Sequence, residues 1–226
     1  MPKDEKTAQE WFEMGMKAKD PEEEVLCFSK CLEIEPDNIF AWNNMGIALY
    51  DLGKFDEALQ CFDKALDVNP DYNDAWYNKG IVLSDLEMYD EAITCYENAI
   101  EINPNDAAAW NNKGLALYEL GRYEEAMECY DRCLEIDPHH MLAWYNKGIT
   151  LYDLGRYEEA TECYDKTIEL VPDYVDAWNN KGIALGKLER YEESLKCFER
   201  VLEIDPYNDS ALHNKEIVLE KLSSEK

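Results

Sequence analysis

The sequence predicts an all-α fold, a solenoid of stacked helix-turn-helix hairpins, and three features predict it. The first is a period. Trp42, Trp76, Trp110, Trp144 and Trp178 stand 34 residues apart, as do Gly46, Gly80, Gly114, Gly148 and Gly182, the series Phe55, Tyr89, Tyr123, Tyr157 and Tyr191, and the prolines Pro36, Pro70, Pro104, Pro138, Pro172 and Pro206. Several residue types in one register mark a repeat array. The second is that each period holds two segments with apolar residues three and four apart, the spacing of one helical face. The third is composition. Hydrophobic residues make up 46% of the 226, enough for a packed interior and too many for an acidic disordered chain. A hairpin this small buries its apolar faces only against its neighbours, so the period implies stacking.

Residues 107–140 show how each unit is built. A first helix is expected from about Asp106 to Leu120, with Gly121 ending it. A second is expected to start near Tyr123, with Glu124 and Glu125 in the first turn favoured by the helix dipole. Its apolar set is Tyr123, Ala126, Met127, Tyr130 and Leu134. It should end near Ile136, since Pro138 blocks continuation. Gly114 and Ala126 are the small residues where the two helices approach closely. The ends differ. Trp11 and Gly15 precede Trp42 and Gly46 by 31 residues, whereas Cys27 and Phe28 precede Cys61 and Phe62 by 34. The first unit is thus three residues short, and the KAKDPEEE segment places the deficit at its inter-helix turn. After Pro206 one helix remains, roughly Asp209 to Leu222, with Leu212 at the tryptophan place and Glu216 at the glycine place. Lys215, Glu216, Glu220 and Lys221 make it polar, as an end cap requires. The expected organisation is one array over 1–226: a short first unit at 7–38, full units at 39–72, 73–106, 107–140, 141–174 and 175–208, and a capping helix at 209–226.

The units AWNNMG, AWYNKG, AWNNKG, AWYNKG and AWNNKG are followed by Ala58 and Phe62, Ala92 and Tyr96, Ala126 and Tyr130, Ala160 and Tyr164, and Ser194 and Phe198. Together they resemble the tetratricopeptide repeat (TPR) pattern, W-x2-L-G-x2-Y, then A-x3-F, then P. Two departures are regular. Lys79, Lys113, Lys147 and Lys181 stand where the family has Leu, and Leu49, Leu83, Leu117, Leu151 and Leu185 where it has Tyr. The resemblance covers nearly the whole chain. It implies a right-handed superhelix whose first helices line a concave groove, and a protein-binding function. It does not extend to the carboxylate-clamp members that grip chaperone tails, because only the middle Asn of that clamp is present.

Unrolled at about 100° per residue, the first helix of residues 39–72 puts Trp42, Gly46 and Leu49 toward its partner helix and Ala41, Met45, Ala48 and Leu52 toward a neighbouring unit. Phe40, Asn44, Ile47 and Asp51 face away, with Asn43 and Tyr50 at the edge. Down the array that face carries three rows. Asn44, Asn78, Asn112, Asn146 and Asn180, with Asn214 in the cap, stand two after each tryptophan place. Ile47, Ile81, Leu115, Ile149 and Ile183 form a second row. Asp51, Asp85, Glu119 and Asp153 form an acidic third, broken by Lys187. Tyr77 and Tyr145 alternate with Asn43, Asn111 and Asn179 beside them. An asparagine amide carries donors and an acceptor, so the first row can hold peptide main chain without reading side chains. The acids and tyrosines favour a segment containing Lys or Arg. The expected function is a scaffold binding an extended, basic peptide or partner segment. The alternative is a self-assembling structural module with no peptide ligand.

Charge bounds the partners. Fifty acids against 22 bases give a net charge of −28 and a pI near 4.3. Such a chain repels nucleic acid and anionic membrane surfaces. No apolar run reaches the ~18–20 residues of a membrane span, and MPKDEKTAQEW lacks the apolar core of a secretory signal. The expected location is the cytoplasm. Cys27, Cys61, Cys95, Cys129, Cys163 and Cys197 share the period. Successive helices ~8–10 Å apart are too distant for unstrained disulfides, so these thiols read as small core residues. His139 and His140 read as exposed turn residues. The run Asp67, Asn69, Asp71 and Asn73 lacks the glycine and closing glutamate of a calcium loop. No phosphate-binding, dinucleotide, zinc-protease or serine-hydrolase motif occurs. The expectation is no enzyme, no catalytic residue, no metal and no cofactor.

Overall fold

The computed structural model describes residues 6–224 and is all-α: among them are thirteen helices and no strand. In order these are α1 (Ala8–Gly15), α2 (Pro21–Ile34), α3 (Ile39–Asp51), α4 (Phe55–Val68), α5 (Asn73–Asp85), α6 (Tyr89–Ile102), α7 (Ala107–Glu119), α8 (Tyr123–Ile136), α9 (Met141–Asp153), α10 (Tyr157–Leu170), α11 (Val175–Lys187), α12 (Tyr191–Ile204) and α13 (Asp209–Ser224). The outermost residues of the expected array, 1–5 and 225–226, lie outside the described residues, as does the start of the N-terminal segment read above. The chain divides into two compact units, one up to Ala116 and one from Leu117 onward.

Local chemistry sets the helix ends. The side chains of Asn38, Asp106 and Asn208 each accept the amide three residues on at 3.0 Å, and His140 Nδ1 accepts from Ala143 at 3.1 Å. Each satisfies an amide that the helix leaves without a partner. His140 is therefore a helix cap rather than a free turn residue. Most first helices end in one motif, in which the amide two past the cap reaches back to the carbonyl of the third-last helical residue: Lys54 to Leu49, Met88 to Leu83, Arg122 to Leu117, Arg156 to Leu151 and Arg190 to Leu185. The residue between cap and reaching amide must be left-handed. Gly121 and Gly155 supply this freely at φ 73°, but Glu87 and Glu189 are held at φ 59° and 58°. Replacing either glutamate with glycine is expected to stabilise the fold by about 0.5–1 kcal/mol. The check is a higher urea midpoint at unchanged slope.

Packing explains the period. In the unit up to Ala116, Leu49, Ala58, Cys61, Phe62, Ala65, Leu66, Ala75 and Val82 form one buried cluster spanning α3, α4 and α5. A second joins Ala8, Phe28, Cys31, Leu32 and Ala41 across α1, α2 and α3. From Leu117 onward, Leu151, Ala160, Cys163, Tyr164 and Ala184 form one cluster, and Phe198, Val201, Ala211 and Val218 another. The five tryptophans from Trp42 to Trp178 each donate the indole N–H to the carbonyl of the proline six residues earlier, Trp42 to Pro36 at 2.7 Å and Trp144 to Pro138 at 3.0 Å among them. This bond fastens each first helix to the turn that delivers it.

The lysines that depart from the family pattern tie successive repeats together. Lys79 pairs with Asp63 at 2.6 Å and Lys113 with Glu97 at 2.8 Å, and Lys147 pairs with Asp131, Lys181 with Asp165 and Lys215 with Glu199. In each case a first helix reaches the preceding second helix. Lys79, Lys113, Lys147 and Lys181 also lie 5.7 Å from the ring centres of Trp76, Trp110, Trp144 and Trp178. Each ammonium is thus placed between a carboxylate and an aromatic face.

One end feature differs from the sequence expectation. The residue count places the three-residue deficit of the first repeat in its inter-helix turn. Instead α1 has 8 residues where α3 has 13, and the connection after it is longer than the one after α3. The shortening lies in the helix, which stops at Gly15 because the chain must reach Asp20 and Pro21, which cap and start α2. At the other end, Glu216, Glu220 and Lys221 of α13 are exposed, and so are Leu212, Ile217 and Leu219.

Candidate peptide-binding face

Up to Ala116, the face away from the second helices carries Asn44, Ile47 and Asp51 on α3, Asn78, Ile81 and Asp85 on α5, and Asn112 and Leu115 on α7. Asp51 and Asp85 are exposed, while the asparagines and isoleucines are half-buried. Asn44 donates to the Phe40 carbonyl of its own helix at 2.8 Å. Asn78 Nδ2 donates to Asn43 Oδ1 at 3.0 Å, and Asn112 Nδ2 to the Tyr77 hydroxyl at 3.1 Å. Asn43 and Asn111, read as edge residues, are buried. The Tyr50 hydroxyl donates to Asp85 at 2.5 Å, and this bond, with burial second, pushes the Tyr50 phenol up to about 12. Burial also raises the Tyr77 phenol.

From Leu117 onward the pattern recurs. Asn180 Nδ2 donates to the Tyr145 hydroxyl at 3.1 Å and Asn214 Nδ2 to Asn179 Oδ1 at 3.5 Å, while Asn146 is half-buried. The Tyr118 hydroxyl donates to Asp153 Oδ2 at 2.6 Å. Burial and then this bond raise the Tyr118 phenol, and burial followed by the Asp176 charge pushes Tyr145 up to about 12. Glu119 and Asp153 are exposed. Tyr118, Ile149, Tyr152, Asp153, Tyr164, Asn180 and Ile183 line a cleft of about 200 Å³. Members of all three sequence-predicted rows meet there.

The structure narrows the asparagine reading. The sequence offered each amide whole to a ligand, donors and acceptor alike. In Asn78, Asn112 and Asn180 one amide N–H instead serves the residue after the preceding tryptophan, and the side chain is half-buried. That residue sits one repeat back and is long enough to reach. Among the described residues nothing donates to the Asn180 carbonyl, so the group offered to the cleft includes an acceptor. Sequence reasoning missed these links, although a signal existed. Asn43 to Asn78, Tyr77 to Asn112, Tyr145 to Asn180, Tyr50 to Asp85 and Tyr118 to Asp153 are all 35 apart, one more than the repeat.

All eight cysteines are buried. Among the described residues no group of three or more His, Cys, Asp or Glu could hold a metal ion, and no helix is long and apolar enough to cross a membrane.

A sequence profile described as Tetratricopeptide repeat matches residues 39–72, 74–106, 107–140, 142–174 and 175–208. No curated protein matches in sequence. Many solved structures are similar in fold. YrrB, a TPR protein with an unusual peptide-binding site, is 26% identical at a TM-score of 0.70, over 84% of this chain and 97% of that one. MamA from Desulfovibrio magneticus RS-1 is 26% identical at a TM-score of 0.68, over 74% of this chain and 96% of that one. PilW, a type IV pilus biogenesis factor, is 19% identical at a TM-score of 0.81, over 91% and 97%, a likeness of fold alone.

Proposed function

We propose, for a chain that belongs to the tetratricopeptide repeat family, that it acts by docking an extended, Lys- or Arg-containing segment of a partner protein on its first-helix face. Membership itself makes the chain a protein–protein interaction scaffold. The carrying observation for the finer reading is the cleft that gathers Tyr118, Ile149, Tyr152, Asp153, Asn180 and Ile183. Its floor is largely apolar, and its rim carries acceptors: the Asp153 carboxylate and the Asn180 carbonyl. A segment that supplies donors, namely main-chain N–H groups and an ammonium or guanidinium, satisfies that rim. The peptide-binding site of YrrB adds support by analogy.

Within the unit from Leu117 onward, Glu119, Tyr145 and Asn146 belong to the same proposed face, and in the unit up to Ala116 the corresponding proposed face carries Asn44, Asn78, Asn112, Tyr77, Asp51 and Asp85. Asp153→Asn is expected to weaken a labelled Lys-containing peptide about three- to fivefold at low salt, the scale of one exposed charge pair. Wild-type affinity should itself fall with added salt. Fluorescence anisotropy reads both. Salt-independent binding unaffected by Asp153→Asn would contradict the proposal.

A further inference from the structure

The acidic row changes sign within the unit from Leu117 onward. Its members there are Glu119 and Asp153, followed on α11 by Lys187 and on α13 by Lys221. Most bases in this unit are already committed. Lys147, Arg156, Lys166, Lys181, Arg190, Arg200 and Lys215 all pair with acids. Lys187 is exposed and has no ion-pair partner among the described residues. It lies four residues after Ile183 and seven after Asn180, both of which line the cleft, so all three share one helical face.

The sign change also alters the bonding. At two of the acidic places a tyrosine of the preceding first helix bridges to the row, Tyr50 to Asp85 and Tyr118 to Asp153. The next tyrosine in that series, Tyr152, meets a helix carrying Lys187 at the corresponding place. Its hydroxyl makes no hydrogen bond among the described residues, and it lines the cleft. The cleft therefore holds the Tyr118–Asp153 bridge and, beside it, a Tyr152 hydroxyl that has no acid to meet at the corresponding place on α11. The carboxylate lies on α9, the unpaired ammonium on α11, and the Tyr152 hydroxyl between them in the series. The helix dipole favours a lysine in the last turn of α11, but it accounts for neither the unbonded tyrosine nor the cleft.

We propose that this site selects a bipolar segment, one whose cationic residue sits over Asp153 and whose anionic residue, about three positions away, sits over Lys187. The inference rests on the docking face proposed above and specifies its ligand. The spacing follows from packed helices ~8–10 Å apart and an extended chain that advances ~3.1–3.4 Å per residue. A uniformly basic segment satisfies Asp153 but is repelled at Lys187, and a uniformly acidic one does the reverse.

The test uses three labelled peptides that differ only at two positions three apart, carrying Lys with Glu, Lys with Lys, or Glu with Glu. Anisotropy against the full chain at low salt should show the mixed peptide binding about three- to tenfold tighter than either other, as expected for one exposed pair gained and one repulsion removed. Lys187→Gln should bring the mixed and double-Lys peptides to parity. Lys187→Asp should reverse their order, since the aspartate so introduced restores the acidic row. Lys187 is exposed, so circular dichroism should show all variants folded. A wild-type preference for the double-Lys peptide, or a ratio unchanged by Lys187→Gln, would overturn the bipolar reading. If double-Lys binding still depends on Asp153 in that case, the docking face survives. If none of the three peptides binds, both readings fall.

Discussion

Gly148→Ala is expected to destabilise the protein by about 2–3 kcal/mol, the scale of overpacking a tight core site. A Cβ at this position would lie 2.6 Å from Cε1 of Tyr164. That ring is 1% exposed and belongs to a cluster with Leu151, Ala160, Cys163 and Ala184, so displacing it disturbs the packing of both helices. Tyr164→Ala should cost more, about 3–5 kcal/mol, through a large cavity. The decisive reading is the combination. If the glycine is required because the ring presses on it, adding Gly148→Ala to Tyr164→Ala should cost little, and the double variant should fall well short of additivity. Urea denaturation of the four proteins measures this. Strict additivity would separate the two residues and remove the packing explanation of the period.

Raising the pH from about 8 to about 10.5 is expected to cause a steep loss of stability. Burial pushes the Cys61 and Cys163 thiols up to about 12 and those of Cys95 and Cys197 up to about 11, from an ordinary value of 9.0. The raised value belongs to the folded state and the neutral form is the one favoured there, so the unfolded chain releases its protons first as pH rises. Stability is full below the unfolded value and falls above it, by up to about 1.4 kcal/mol per pH unit for each thiol that only the unfolded chain has ionised. The Tyr72 and Tyr145 phenols, held up to about 12, extend the loss further into alkali. The urea midpoint followed against pH measures the decline. Replacing Cys61, Cys95, Cys163 and Cys197 with alanine should flatten it. A midpoint constant across this range would contradict the burial of these thiols as ionisable groups.

The fold was legible in the sequence because the constraints that build it recur. Glycines such as Gly46 and Gly148 answer a ring on the partner helix, the indole N–H groups from Trp42 to Trp178 answer proline carbonyls, and a left-handed residue closes most first helices. Helix boundaries at 107–140 came within a residue of those observed, because Gly121 and Pro138 leave little choice. The end of α1 was misread for the complementary reason: a count of residues between Gly15 and Cys27 does not say whether helix or turn gives way. The candidate face was legible as three rows, but its bonding was not. A single helix unrolled by itself shows Asn180 facing outward. Only the stacked neighbour shows that Tyr145 takes one of its donors, and only the comparison of Tyr118 with Tyr152 shows what Lys187 undoes.

The most direct test of the docking face is a nuclear magnetic resonance titration of the full chain with a Lys-containing peptide. The account predicts that the Ile149 and Ile183 methyl signals and the Asn180 side-chain amide shift together on addition of peptide, while the methyls of Ile168 and Ile204 on the second helices stay in place. Shifts confined to the second helices, or a bound peptide that leaves Asn180 and both first-helix isoleucines unmoved, would contradict it.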